Sequence, residues 1–516
     1  MSARRVLQRL SRLAPALVGA SLLGAIGADR VDAHALGQVF TLPVPLTLYL
    51  AAAAAAVAAS FVVAVVLVRP AGSVPSYGTR PIGVDTARAL SVALQVLGLL
   101  WWFGAIVAGL LVDSISPLPA ILVWILLWVG LPIVTVVFGN PWPSLSPFRT
   151  LFGLLERGAR LAGFNRLDVG LRYPAALARW PAVALLFGAV WSELILPDRI
   201  TPGVIAALLS WYTVLTMAGM TLFGRAGWLR NVELFEVYLG WFGRVGPVGR
   251  RVVAPEICQG CGEACTPERC VDCPECAVVA ESGERRAELR PWFTGLTEVI
   301  RGGWSDAAFI VLALAAVSYD GLSETSVWGS VMNPLFDALF PIVGGLNTVL
   351  VAQTLGLLLL WLIFLAAFTV GAALTRAMHD ADHPAAPVGA TAATYAATLL
   401  PIAGGYLIAH YLTLIIQGVV WVPIILADPL ASTAPPLDWI PISGVWYLSV
   451  GAIVAGHIAA VVLAHRLALR DSPGRPVLAG LPLVVLMIGY TVFSLWIIAQ
   501  PITLEPISSA ATALLR

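Results

Sequence analysis

Two sets of residues in this chain have the types and spacing to do chemistry. The first is Cys258, Cys261, Cys265, Cys270, Cys273 and Cys276, six thiols in one short stretch and none elsewhere. Thiolates at such intervals suit a metal: four close a tetrahedral zinc site, and six can share bridging thiolates between two zinc ions. The run Cys270-x2-Cys273-x2-Cys276 resembles the opening of an iron–sulfur ligand run. The fourth Cys followed by Pro is missing, which places iron–sulfur behind zinc. Around the thiols stand Glu256, Glu263, Glu268, Asp272, Glu275, Glu281 and Glu284, with too little apolar content for a core. A module of residues 256–290 is therefore expected to need its metal to fold, and it offers a docking point for a cytoplasmic protein partner.

The second set consists of ionisable residues inside apolar stretches. Tyr406, His410, Thr413 and Gln417 follow i, i+4, i+7, i+11 and share one helical face. Pro401 and Gly404-Gly405 just ahead of them predict a kink or break. His457 lies mid-stretch in the next apolar segment, with His465 two turns on. Counting from the segment ends places His410 and His457 at similar depth. Glu193 and Asp320 end their own segments and can join from above.

Three readings of this set stand side by side. His410 and His457 with the carboxylates could ligate an unknown divalent metal, whose bound water would be activated by Glu193 as general base, with Asp320 as a further ligand. Without metal, the same groups make a proton relay. Or each is a separate polar residue tying helices together. His379-Asp380-Ala381-Asp382-His383 is short, precedes Pro384, and reads as a solvated loop. There is no phosphate-binding loop, no dinucleotide fingerprint and no nucleophile elbow, and nothing supports nucleic-acid binding.

The elements that carry these residues follow from composition. Of 516 residues, 59% are apolar and 11% charged, and the mean hydropathy is +0.88. A soluble domain could not hide that much apolar surface, so the lipid bilayer is the expected partner of most of the chain. With about 20 apolar residues needed per span, ten spans are predicted: 46–68, 89–112, 118–138, 180–196, 203–223, 305–319, 348–374, 392–420, 444–466 and 477–499. The fold class is all-α, a polytopic transmembrane helix bundle. It divides into 34–255 and 291–516, about five spans each, on either side of the cysteine module. Residues 1–33 read as a signal peptide or anchor, with Arg4, Arg5, Arg9 and Arg12 ahead of an apolar run and small residues near Ala33. Cleavage there would expose His34, whose amine and imidazole together can chelate copper.

All 30 basic residues are Arg. They concentrate in alternate loops, with Arg149, Arg157, Arg160, Arg166, Arg172 and Arg179 in one and Arg225, Arg230, Arg244, Arg250 and Arg251 in the next such loop. The positive-inside rule then places the mature N-terminus outside the cell membrane and the cysteines in the cytoplasm, where thiols stay reduced. Phe148 to Leu161 and Trp228 to Phe242 read as interfacial amphipathic helices. Trp328 to Leu346, interrupted by Pro334, Pro341 and Gly344-Gly345, reads as a re-entrant or surface half-helix.

Three stretches carry a family likeness. They are His34-Ala-Leu-Gly-Gln with Leu42-Pro-Val-Pro-Leu-Thr-Leu-Tyr-Leu50, Ser318-Tyr-Asp-Gly-Leu322, and Gly456-His-Ile-Ala-Ala-Val-Val-Leu-Ala-His465 with Gly489-Tyr-Thr-Val-Phe-Ser-Leu-Trp-Ile-Ile-Ala-Gln-Pro501. Together they resemble the fenitrothion hydrolase-like polytopic membrane proteins of bacteria and archaea. The resemblance implies hydrolysis of a lipophilic organophosphorus triester, a small-molecule substrate reaching the site from the bilayer. It brings no catalytic residues with it, and the six-Cys segment has no counterpart in the family pattern. A transporter or channel for a metal ion or proton-coupled solute, and a structural subunit recruiting a partner through the cysteines, are the alternatives.

Overall fold

The computed structural model describes residues 32–34, 39–41, 45–68, 80–81, 84–111, 116–164, 166–252, 272, 285–296, 302–379, 387–428, 435, 437 and 439–500. In chain order the helices are α1 Leu46–Leu67, α2 Val84–Leu111, α3 Leu118–Phe138, α4 Pro147–Leu161, α5 Trp180–Leu194, α6 Pro202–Phe223, α7 Arg225–Asn231, α8 Leu234–Gly243, α9 Trp304–Ser323, α10 Ser326–Val343, α11 Gly345–Ala377, α12 Val388–Ala427, α13 Ile442–Asp471 and α14 Pro476–Ile498. Among the described residues, nine are long and apolar enough to cross a membrane: α1, α2, α3, α6, α9 and α11 to α14. The shorter apolar α5 fills the place of the tenth expected span. The bundle is thus all-α in its main body.

α9 is the central post. Nearly every residue from Ser305 to Leu322 is buried, because it packs against α5, α11, α12 and α14 at once. Ala307, Ala308, Ala313, Ala315 and Ala316 keep its profile slim enough for that. A helix apolar on all sides belongs inside a bundle. α12 tightens into a 3-10 turn at Ala397–Leu399 and continues through Pro401, which lacks an N–H to donate. α3 runs with wide i→i+5 hydrogen bonds over Ile121–Gly130, just ahead of Pro132.

α12 and α13 run antiparallel in close contact, and two glycines allow it. A Cβ on Gly405 would stand 2.4 Å from the Ala452 carbonyl oxygen, and one on Gly456 would stand 2.3 Å from that of Pro401. Ser449 Oγ donates to the Ala409 carbonyl at 3.0 Å. The register therefore pairs 401 with 456, 405 with 452 and 409 with 449.

The stretch Trp228 to Phe242 is not one interfacial helix. It is divided between α7 and α8, and α8 buries nearly every residue from Leu234 to Gly243. α7 folds back alongside α6: the rings of Phe223 and Trp228 stack with centroids 6.0 Å apart, and the Tyr212 hydroxyl donates to Glu233 Oε1 at 2.5 Å. Tyr212 is 11 residues before Phe223, about 16 Å along α6 at ~1.5 Å per residue. α7 and α8 thus form a helical hairpin that re-enters the bundle with Glu233 at its tip. The amphipathic pattern is met by protein packing, not by a lipid–water boundary.

Two small sheets accompany the helices. β1 Asp32–His34 pairs antiparallel with β2 Val39–Thr41. β3 Arg80–Pro81, β4 Val248–Val252 and β5 Arg285–Leu289 form an antiparallel sheet in the order β3-β5-β4. The second sheet brackets the cysteine segment. Asp272 is tied to it three times: its N–H donates to the Arg250 carbonyl (3.1 Å), its Oδ1 accepts from the Arg250 N–H (2.6 Å) and its Oδ2 from buried Arg290 (2.8 Å). The six cysteines themselves, the leader before residue 32 and most of the 379–383 cluster lie outside the described residues.

Candidate functional site

Three helices bring polar side chains together near the ends of α5 and α9. Asp320 stands one turn before the end of α9. His410 Nε2 lies 3.0 Å from its Oδ2, and the Tyr411 hydroxyl donates to the same oxygen at 2.5 Å. Both partners come from consecutive residues of α12. The Tyr406 ring, one turn earlier, stacks on His410 with centroids 5.7 Å apart. Its own hydroxyl is buried with no hydrogen-bond partner among the described residues.

Glu193, in the last turn of α5, accepts from Trp128 Nε1 on the wide-turned part of α3. It lies within electrostatic reach of Asp320 and Tyr411. Against Glu193 and Tyr411 lies a small cavity of about 20 Å³, room for about one water molecule. Glu193, Trp128, Tyr238 and Tyr411 give it polar edges, and Ala313, Ala316 and Val317 of α9 give it a small apolar wall. Tyr238 belongs to the re-entrant hairpin and stacks on Trp128, centroids 5.7 Å apart. Tyr411 lines the cavity beside Glu193 and donates its hydroxyl to Asp320, so one residue touches both.

The expected partner His457 is not there. By the register above it lies opposite Leu400, next to Pro401 and ten residues from His410 on α12, about 15 Å away along the axis. Depth counted from segment ends fails because α12 is longer than its apolar core and its end is not level with that of α13. His457 is fully buried; its Nδ1 lies 2.8 Å from the Ile453 carbonyl, and its Nε2 has no partner among the described residues. No group of three or more His, Cys, Asp or Glu able to hold a metal occurs among the described residues. Asp320 and His410 supply two donors where a catalytic divalent site takes three. The His410–His457 metal pair is thus not formed in this arrangement. Gln417, further along the same face of α12, reaches the Pro435 carbonyl instead.

A second buried polar cluster escaped the sequence reading. Glu233 caps α8, accepting from the N–H groups of Phe235 (3.2 Å) and Glu236 (2.6 Å), and also from Trp142 Nε1 (3.1 Å) and Tyr212. Glu236 takes a two-pronged pair from Arg149, 3.1 Å from Nε and 2.9 Å from Nη2. The signal in the sequence was an acid directly before an apolar helical run, which is an N-cap pattern. All four donors to Glu233 are protein groups, so this cluster reads as architecture.

No protein-family model, no curated protein and no solved structure matches this chain. Fold and site define a class: an all-α bundle of membrane-length apolar helices with a half-buried polar cluster between them.

Proposed function

We propose that the protein is a multi-pass membrane protein that moves protons through the Glu193–Tyr411–Asp320–His410 cluster, as a proton conductor or as the proton-binding part of a coupled transporter. The observation that carries this reading is the convergence of His410 and Tyr411 on one oxygen of Asp320, beside a one-water cavity edged by Glu193. Carboxylates and imidazoles enclosed among membrane helices are costly and mark ion or proton paths. A hydroxyl donates and accepts at once, so Tyr411 passes a proton from a cavity water to Asp320, and His410 takes it onward. Trp128 holds Glu193 facing the cavity.

A hydrolase is placed second on the size of that cavity. A lipophilic triester needs a pocket of roughly 300 Å³ or more, far beyond room for one water. The reading is tested with the full chain in proteoliposomes carrying an internal pH dye, under an imposed potassium diffusion potential. Wild-type protein is expected to acidify the lumen, and Asp320→Asn and Glu193→Gln to abolish this. Absence of proton movement in wild type, with turnover of a phosphotriester by the same preparation, would reverse the assignment. For the six cysteines we propose zinc, supported by their spacing, with Asp272 as the point that fixes the segment to the sheet.

A further inference from the structure

We infer that α4 and the loop after it form a binding site for the head group of an anionic phospholipid. The level of this region is set by three neighbouring spans. The loop hydrogen-bonds to the last turn of α6, Val169 N–H to Thr221 O at 2.8 Å and Leu171 N–H to Leu222 O at 3.0 Å. The Tyr173 ring meets Phe223, centroids 5.8 Å apart. α3 ends at Phe138 shortly before α4, and α5 begins at Trp180 shortly after the loop. The whole elbow therefore sits where three apolar helices end, at the boundary of the bilayer.

α4 presents two different faces there. One is fixed to the protein by fully buried Phe148 and Phe152 and by the Glu156–Arg225 pair at 3.2 Å. The other is apolar and exposed: Leu154 and Leu161 are 50% and 90% exposed, and Phe164 just beyond is 65% exposed. Such a surface is unfavourable in water and suits acyl chains. Arg157 lies on the same stripe, three residues after Leu154 and four before Leu161, with Arg160 one turn further; both are exposed. Arg157 has no carboxylate partner among the described residues, and Arg160 only reaches the Glu156 carbonyl through Nε at 3.3 Å. Two guanidinium groups beside an acyl-covering stripe match one phosphodiester and its chains, since Arg binds phosphate through two parallel hydrogen bonds. By the arginine distribution, this is the cytoplasmic leaflet.

The test is native mass spectrometry of the full chain released from nanodiscs of phosphatidylcholine with one third phosphatidylglycerol. Wild-type protein is expected to retain phosphatidylglycerol in preference to phosphatidylcholine. Arg157→Gln/Arg160→Gln should lose that preference by about thirtyfold at low salt, from about 1 kcal/mol per Arg at the membrane surface. Arg475→Gln removes one exposed charge at the start of α14, outside this elbow, and should lower the preference by no more than about fivefold, the surface contribution of a single Arg. Unaltered thermal unfolding of the double variant excludes misfolding. Equal retention of the two lipids by wild type, or an equal loss in Arg475→Gln, would overturn the proposal. So would displacement of the retained lipid by millimolar inorganic phosphate, which would mark a free-phosphate site.

Discussion

Glu233→Ala removes the one acceptor at the tip of the re-entrant hairpin. Four donors converge on that carboxylate: two backbone N–H groups of α8, the Trp142 indole and the Tyr212 hydroxyl. Loss of an N-cap costs about 1 kcal/mol. A buried donor left without a partner costs about 1–3 kcal/mol, and here two side chains, the Trp142 indole and the Tyr212 hydroxyl, lose their acceptor. Together these come to about 3–7 kcal/mol, and because they share one site the lower half is expected, ~4 kcal/mol. Glu233→Gln keeps an acceptor oxygen but turns an amide donor toward the same partners, and should cost about half as much. The assay is reversible unfolding of the full chain in mixed SDS–dodecylmaltoside micelles, followed by tryptophan fluorescence. A loss below about 1 kcal/mol for Glu233→Ala would mean that the tip is wet or loosely packed, and would refute the hairpin as a rigid part of the bundle.

Other outcomes follow from the same contacts. Gly456→Ala puts a methyl 2.3 Å from the Pro401 carbonyl and should cost about 1–3 kcal/mol, whereas Gly451→Ala on the same helix meets nothing within 4 Å and should be neutral in the same unfolding assay. Asp306→Ala breaks both the α9 capping contact to the Gly303 N–H at 3.0 Å and the 2.6 Å pair with Arg179, and should destabilise by about 2 kcal/mol. Purified protein is expected to carry zinc by elemental analysis. Replacing Cys258, Cys261, Cys270 and Cys273 with Ser should remove it, and full zinc content in that variant would exclude the thiolate site.

Hydropathy made the helices legible because membrane length and apolar composition are local properties. Nine of the ten expected spans recur as helices of membrane length among the described residues, the tenth is the shorter α5, and the amphipathic α4 and the proline-interrupted α10 fall where the pattern put them. Pairings between helices were not legible. His410 stood out by the polar face it shares with Tyr406, Thr413 and Gln417, and Asp320 by ending its own apolar stretch, and the two do meet. His457 was placed with them on a depth count, and the glycine-driven register of α12 on α13 moves it about 15 Å away. Tyr411 and Trp128 carried no signal, since aromatic residues in apolar helices are ordinary. The α7–α8 hairpin was misread because a buried amphipathic helix and an interfacial one share the same periodicity. Only the partner tells them apart, and here Glu233 and Glu236 find theirs inside the protein.

Difference infrared spectroscopy of the full chain in lipid films, stepped across a range of pH, tests proton binding at Asp320 most directly. A carboxyl stretching band that appears on acidification, moves in Tyr411→Phe and vanishes in Asp320→Asn is the predicted result. A titrating band that survives unchanged in Asp320→Asn would contradict proton exchange at this cluster.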